Sequence, residues 1–280
     1  MFRSRRGWGL LGAHFSIAFA TLAGSLQLIL AVRPATALKG LWPITIMLAA
    51  SCIWAAIKSL PQESVSRDFS YPNFTVTVKL GDLFSESGDL VIGFTDVYDT
   101  STEGGDVISP ESVQAQFLKK IYNDDITELD EALREALRGS AVGRTETEAA
   151  KPRGKRTRYP IGTVAVLSKG VSRYYCVAYS RMSNNLVARS SIDDLWWSIG
   201  NTWSAISRHG HLNNVSIPIL GSDLARVGNL GREGLLKMIL LSFVARSREE
   251  SISRSLTLFI HHRDAQQVNM NEVRAFLNSL

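Results

Sequence analysis

The stretch that most constrains this chain is Gly9 to Val32, 24 residues without one charged side chain. As a helix rising 1.5 Å per residue it would be roughly 36 Å long, enough to cross a hydrocarbon core of ~30 Å with some tilt. A second apolar run, Leu41 to Ile57, is 17 residues long, at the short end of a span. Helices are therefore expected over about 9–32 and 41–58. Trp8 and Trp42 fall near the expected interfaces, where tryptophan is favoured. The eight-residue link Arg33–Gly40 makes the two spans a hairpin. Arg3, Arg5 and Arg6 precede the first span and Lys58 and Arg67 follow the second, against Arg33 and Lys39 in the link. The positive-inside rule then puts both termini in the cytoplasm, as a multi-pass protein of the inner (cell) membrane. Two other readings stay open. The first run could be a signal peptide with Ala35-Thr36-Ala37 as its cleavage site, or both runs could be buried core.

Gly12, Ser16, Ala20 and Gly24 recur every four residues and give the first span a face of small side chains. Such faces let membrane helices approach closely. This one could pack on the second helix of the same chain or on another copy, making a homo-oligomer.

Residues 61–72 read as a linker, and residues 73–280 as the second domain. Strands are expected at Phe74–Leu80, Asp89–Phe94, Gly162–Ser168, Arg173–Ser180, Val215–Leu220 and Ser255–Ile260. Helices are expected from Ser109-Pro110-Glu111, from Ile126, from Asp193-Asp194, after Gly228, and from Asp264 as a cap. The third of these carries Ile192, Leu195, Trp196, Ile199, Trp203 and Ile206 as a core stripe. Strands alternating with helices indicate an α/β fold, a three-layer α/β/α mixed sheet. Ligands of such folds bind outside the carboxyl ends of the strands. That rule gathers Gly81-Asp82, the Phe94–Asp106 loop, the Gly221–Gly228 loop and His261–Arg263 around one cleft. Gly221–Gly228, between a strand and a helix N-terminus, is where backbone N–H groups and the helix dipole favour an anion.

Net charge is +5, but the positive residues sit at the N-terminus and in one central loop, so no continuous stripe for nucleic acid exists. Within that loop, Gly139–Pro160, the run Lys151–Arg158 holds five basic residues. It reads as a mobile charged loop, or as a contact for anionic lipid heads. Cys52 and Cys176 fall in a span and in a soluble strand and are not expected to pair. No metal-ligand spacing and no nucleophile–base motif stands out.

The arrangement resembles a macro domain from about Phe74 to the C-terminus. Gly81-Asp82-Leu83-Phe84 looks like the family's glycine-aspartate-aliphatic motif, which implies that Asp82, beside Leu83, bonds an adenine amino group. Gly104-Gly105-Asp106-Val107 looks like the first glycine-rich loop, by the distal ribose and diphosphate. Gly221, Ser222, Asp223, Leu224, Ala225, Arg226 and Gly228 look like the second, which holds the diphosphate through backbone N–H groups. Catalytic macro domains carry an asparagine motif after the second strand, whereas this chain has Phe94-Thr95-Asp96-Val97-Tyr98-Asp99-Thr100. That stretch, with Ile108–Phe117, is similar to the macro domain of effectors of Thoeris antiphage defence, some of which carry two transmembrane helices ahead of it. The resemblance implies a sensor without cofactor or chemistry of its own. It would take an ADP-ribose derivative made from NAD by a TIR-domain enzyme, assemble, and damage the lipid bilayer. Phe94, Asp96, Asp99, His261 and Arg263 join the implied ligand site, with Arg226 or Arg263 neutralising phosphate. Two alternatives remain: a membrane-anchored hydrolase of ADP-ribose derivatives, with His261, His262, Asp96 or Asp99 as base, and a lipid or protein adaptor.

Overall fold

The computed structural model describes residues 5–32, 41–58, 63–222 and 230–280. It divides into two units, 1–62 and 63–280.

In the first unit, α1 (Arg5–Val32) and α2 (Trp42–Lys58) pack along each other. Within α1, Leu11–Val32 is 22 residues long and apolar enough to cross a membrane, and α2 is a shorter apolar helix. Ser51 and Ala55 of α2 are buried. Gly12, Ser16 and Ala20 of α1 are exposed, and a methyl group added at Gly12 or Gly24 would meet nothing within 4 Å. The small-residue face of α1 is therefore left uncovered by α2. The link at 33–40 lies outside the described residues.

The second unit is built on an eight-stranded sheet. Its strands are β1 (Ser64–Ser70), β2 (Asn73–Leu80), β3 (Asp89–Thr95), β6 (Val164–Lys169), β7 (Ser172–Met182), β8 (Ala188–Arg189), β9 (Val215–Pro218) and β10 (Ser255–Ile260). A separate two-stranded ribbon joins β4 (Arg144–Thr145) to β5 (Thr157–Arg158). The sheet order is β1-β2-β10-β9-β3-β7-β6, with β8 on β7. The five inner strands run parallel, and β1 and β6 are antiparallel edges. Side chains alternate across the sheet as strand geometry requires. On β7, Tyr175 and Val177 enter one core while Tyr174, Cys176 and Ala178 enter the other. The first core is closed by α5 (Ile192–His209), α6 (Arg232–Glu249) and α7 (Met270–Ser279), and the second by α3 (Val113–Tyr122) and α4 (Ile126–Ala136). The three-layer α/β/α architecture follows.

Several local expectations are corrected. The segment read as a linker holds β1, which pairs with β2 along its whole length. Only Val65 and Phe69 of it point into the core, so its apolar signal is sparse. Helix α3 starts at Val113 under a Ser112 cap rather than at Ser109, whose hydroxyl instead accepts from the Glu111 N–H. Asn269, not Asp264, caps the last helix; Asp264 pairs with Arg232. Ile192 and Trp196 of α5 are exposed, so its core stripe runs through Leu195, Ile199, Trp203 and Ile206.

The largest correction concerns Lys151–Arg158, which is neither a loose charged loop nor a free cationic patch. Each of its five cations has an acid within ion-pair distance: Lys151 with Asp99 at 3.5 Å, Arg153 with Asp106, Lys155 with Asp130, Arg156 with Glu148, and Arg158 with Asp96 and Glu146. Lys151 is fully buried, and its Nζ donates to the Arg153 and Lys155 carbonyls. The loop closes over it only because residue 154 is glycine. Its φ is +73°, and a Cβ there would come within 2.7 Å of both the Asp99 carboxylate and the Lys151 Nζ. Burial pushes the Asp99 carboxyl above its ordinary value, against the Lys155 N–H and the charge of Lys151.

Removing one member of a buried ion pair strands the other charge. Lys151→Met should therefore cost about 3–5 kcal/mol, and Lys151→Met/Asp99→Asn should recover part of that. A carboxyl whose folded pKa is raised destabilises the fold more as pH rises through that pKa. Stranding Asp99 raises it further, so the deficit of the single variant should shrink as pH falls from neutral. Thermal unfolding of the full chain in detergent across pH checks both, and a deficit independent of pH would contradict the assignment.

Candidate functional site

The parallel strands β2, β10, β9, β3 and β7 all end at one edge of the sheet, and the connections that leave them open a cleft of about 400 Å³ there. Its floor is Phe94 and Thr95 at the end of β3, with Tyr179 and Ser180 from β7. One wall is Pro218–Ser222, where the chain leaves β9; Gly221 adopts φ +79°, which only glycine takes freely. The opposite side is Gly105–Ser109 with the start of α3, and the hairpin residues Leu186–Ala188 close one end. The mouth carries His261, Arg263 and Glu111.

Of the residues expected at the site, the fold brings together Phe94, Gly105, Gly221, Ser222, His261 and Arg263. Asp223, Leu224, Ala225, Arg226 and Gly228 lie outside the described residues. Gly104 sits beside Gly105 in a turn at φ +64° but does not line the cleft. Asp82 and Leu83 lie at the end of β2, off the lining. The Asp82 carboxylate caps the turn at 83–85, accepting from the Phe84 N–H at 3.0 Å, and pairs with Lys120. Partial burial raises its pKa, but these hydrogen bonds and the charges of Lys120 and His261 bring it below the ordinary carboxylate value. Leu83 is core.

Asp96 and Asp99 are turned away from the cleft and are almost completely buried. Asp96 accepts from Arg158 at 2.7 Å and from the Met182 N–H at 2.8 Å, and Asp99 is held by the Lys151 loop. Between them Tyr98 takes φ +51° and inserts its ring into the second core, stacked 5.5 Å from Phe94, with its hydroxyl donating to the Thr163 carbonyl at 2.7 Å. Positive φ is costly for a bulky residue and persists only where the surroundings hold it. The segment after β3 is thus a packed plug beneath the cleft. Neither aspartate is placed to take a proton from a bound molecule.

Two cleft features escaped the sequence. The Thr95 hydroxyl is buried and has no hydrogen-bond partner among the described residues. A buried donor without a partner costs about 1–3 kcal/mol, so it marks a place where a bound molecule would be welcome. A threonine inside an apolar strand gives no sign of this before the strand is placed. At the mouth, Arg263 pairs with Glu111 across 152 positions of sequence, and the guanidinium holds the Glu111 carboxyl below its ordinary value. Both side chains are exposed, so the pair is exchangeable. His261 uses Nδ1 to accept from the Arg263 N–H at 3.3 Å, which orients the turn that carries Arg263. Among the described residues no three His, Cys, Asp or Glu side chains converge as metal ligands.

Comparison with known proteins bears on this site. Residues 76–261 match the family model of the macro domain of the Thoeris protein ThsA. The chain is similar to the Thoeris protein ThsA of Bacillus amyloliquefaciens (strain Y2), with 26% identity over 207 residues, 72% of this chain and 67% of that protein. The Oceanobacillus iheyensis macrodomain with ADP superposes with a TM-score of 0.51 at 10% identity, covering 78% of this chain and all of that one, a likeness of fold. The matched span runs from within β2 to just past β10 and takes in the described cleft lining except Arg263 and Asp264; it covers more than half of the chain, and the chain belongs to the family of the ThsA macro domain.

Proposed function

We propose that this protein is the membrane-anchored effector of a Thoeris antiphage system. Residues 73–280 bind an ADP-ribose-type signal released by a TIR-domain enzyme, and the helical arm then assembles with other copies and disrupts the inner membrane, both termini being cytoplasmic. The observation that carries the reading is the cleft at the carboxyl ends of the parallel strands in a chain matched to this family over residues 76–261. Its volume of about 400 Å³ suits a small molecule. The fold neighbour from Oceanobacillus iheyensis was solved with ADP, which supports an adenosine diphosphate unit here.

The lining suits such a ligand. Phe94 offers an apolar floor, the turn at Gly221-Ser222 offers backbone donors on the chain leading to α6, and Arg263 offers a cation that a diphosphate can take over from Glu111. The burial of Asp96 and Asp99 in ion pairs supports a sensor over a hydrolase. The pairing of all five cations of Lys151–Arg158 disfavours a lipid adaptor acting through that loop.

Calorimetric titration of the full chain in nanodiscs with ADP-ribose tests the binding step. Arg263→Ala removes a charged hydrogen bond worth ~1.5–3 kcal/mol and should weaken binding roughly tenfold to hundredfold. Thr95→Val should weaken it roughly two- to tenfold without loss of thermal stability, because the hydroxyl it removes has no partner in the fold. Absence of heat with wild-type protein would remove the nucleotide reading, and release of free ADP-ribose from an ADP-ribosylated substrate would restore the hydrolase.

The exposed small-residue face of α1 supports assembly between copies. Gly12→Leu/Ala20→Leu should abolish ligand-dependent oligomers, seen by crosslinking in membranes, with ADP-ribose affinity unchanged. Oligomers that persist in this variant would place the contact elsewhere.

A further inference from the structure

Beyond the hairpin that closes one end of the cleft lies a second, more open bay of about 800 Å³. The two share Met182 and Val187 as a common wall. Its charge is one-sided. Arg144, Arg158, Arg181 and Arg189 line it, against Asp96 as the one lining acid, and Asp96 is already bonded to Arg158.

The arginines are also paired in register. Arg144 lies directly opposite Arg158 on the β4–β5 ribbon, and Arg181 directly opposite Arg189 on β7–β8. Like charges directly opposite each other on adjacent strands repel, and they repel on the same face. Two such juxtapositions open on one bay. The acids that relieve them do not line the bay: Glu146 serves Arg144 and Arg158, and Asp194 serves Arg181. Arg189 has no acid within ion-pair distance among the described residues. The neutral lining adds donors. Asn184 uses its Oδ1 to accept from Arg158 at 2.8 Å, which leaves its amide NH₂ as the free end.

We propose that this bay binds a phosphate-bearing, multiply charged anion. Arginine's planar fork matches phosphate oxygens two at a time, and an anion seated between the two strand pairs supplies the counter-charge that Arg189 lacks while engaging the exposed Arg144 and Arg181. Arg158 forms the fixed floor, half enclosed by Asp96, Glu146 and Asn184. Arg144 and Arg181 are well exposed, and they and Arg189 turn toward the ligand. The chemistry is common to a soluble phosphate compound and to a lipid headgroup. The site is separate from the nucleotide cleft and stands whether or not that cleft takes ADP-ribose.

The test is calorimetric titration of the full chain, held in neutral phosphatidylcholine nanodiscs at low ionic strength, with inorganic pyrophosphate. Wild type should bind, and Arg144→Ala/Arg189→Ala, one exposed arginine from each ribbon, should lose at least about tenfold in affinity with an unchanged melting temperature. Arg208→Ala, an exposed arginine on α5 outside the bay, should bind as wild type does. Arg144→Lys/Arg189→Lys should recover part of the loss. Repeating the titration in nanodiscs containing phosphatidylglycerol separates the sources. Unchanged binding assigns the bay to a soluble phosphate compound, and binding suppressed in wild type assigns it to a headgroup; each supports an anion site. Failure of wild type to bind pyrophosphate in neutral nanodiscs, or equal affinity in wild type and the double alanine variant, overturns the proposal.

Discussion

Two aspartates leave the end of β3 and carry their charges into the interior, and the architecture around the cleft depends on what neutralises them. A carboxylate in a low-dielectric interior is tolerable only with a counter-charge and hydrogen bonds in good geometry. Asp96 is satisfied by Arg158 and Asp99 by Lys151, and both cations come from the same loop, 62 and 52 residues downstream of their partners. The loop is thereby tied to the sheet at two points. The tie reaches further through Lys155, which bonds the Tyr98 carbonyl and Asp130 on α4, and through Arg153, which reaches Asp106 beside the cleft. One set of ion pairs, buried at Asp96 and Asp99 and exposed at Arg153–Asp106, joins the β3 loop, the basic loop, the second helical layer and the cleft wall.

That arrangement fixes what the site can do. A segment whose acids are locked in ion pairs and whose Tyr98 is held at positive φ has no free proton acceptor to offer. The described groups that face the cleft include the Thr95 hydroxyl, the backbone about Gly221, His261 and the exposed Arg263.

The layers, the parallel strands and the edge where the cleft opens were legible because they rest on runs of apolar residues. Leu90–Phe94 and Tyr174–Ala178 carry no polar side chain among their core residues, and Leu256–Ile260 is broken only by Thr257, as strands buried on both faces tend to be. The edge strand β1 was not, because an edge covered on one side needs few apolar residues and has only Val65 and Phe69. The basic loop was misread for a different reason. Charge composition describes a segment before its partners are known, and Asp99, Asp96 and Asp130 lie 25 to 62 positions from the cations they pair with. Asp96 and Asp99 illustrate the same gap in reverse. An acid following a strand at a sheet's carboxyl edge reads as a ligand group, and only the direction of its side chain distinguishes a ligand group from a strut.

On the proposed reading, the same distinction bears on how a signal could reach the membrane arm. In lipid, helices gain no hydrophobic energy by meeting, so α1 and α2 alone favour assembly only through close packing of small residues. A bound molecule shifts such an equilibrium only by its difference in affinity between the two states. Reversing a 1:99 population takes about 5.5 kcal/mol of that difference. A group already saturated within the fold, such as Lys151, contributes nothing to it, since its partners do not change. The Glu111–Arg263 pair is of the other kind: exposed, at the mouth, and joining the start of α3 to the end of β10. A diphosphate that takes Arg263 releases Glu111, and with it an ion pair between those two lips of the cleft. The signal is therefore expected to act by exchanging partners at the mouth, over a floor that stays as it is.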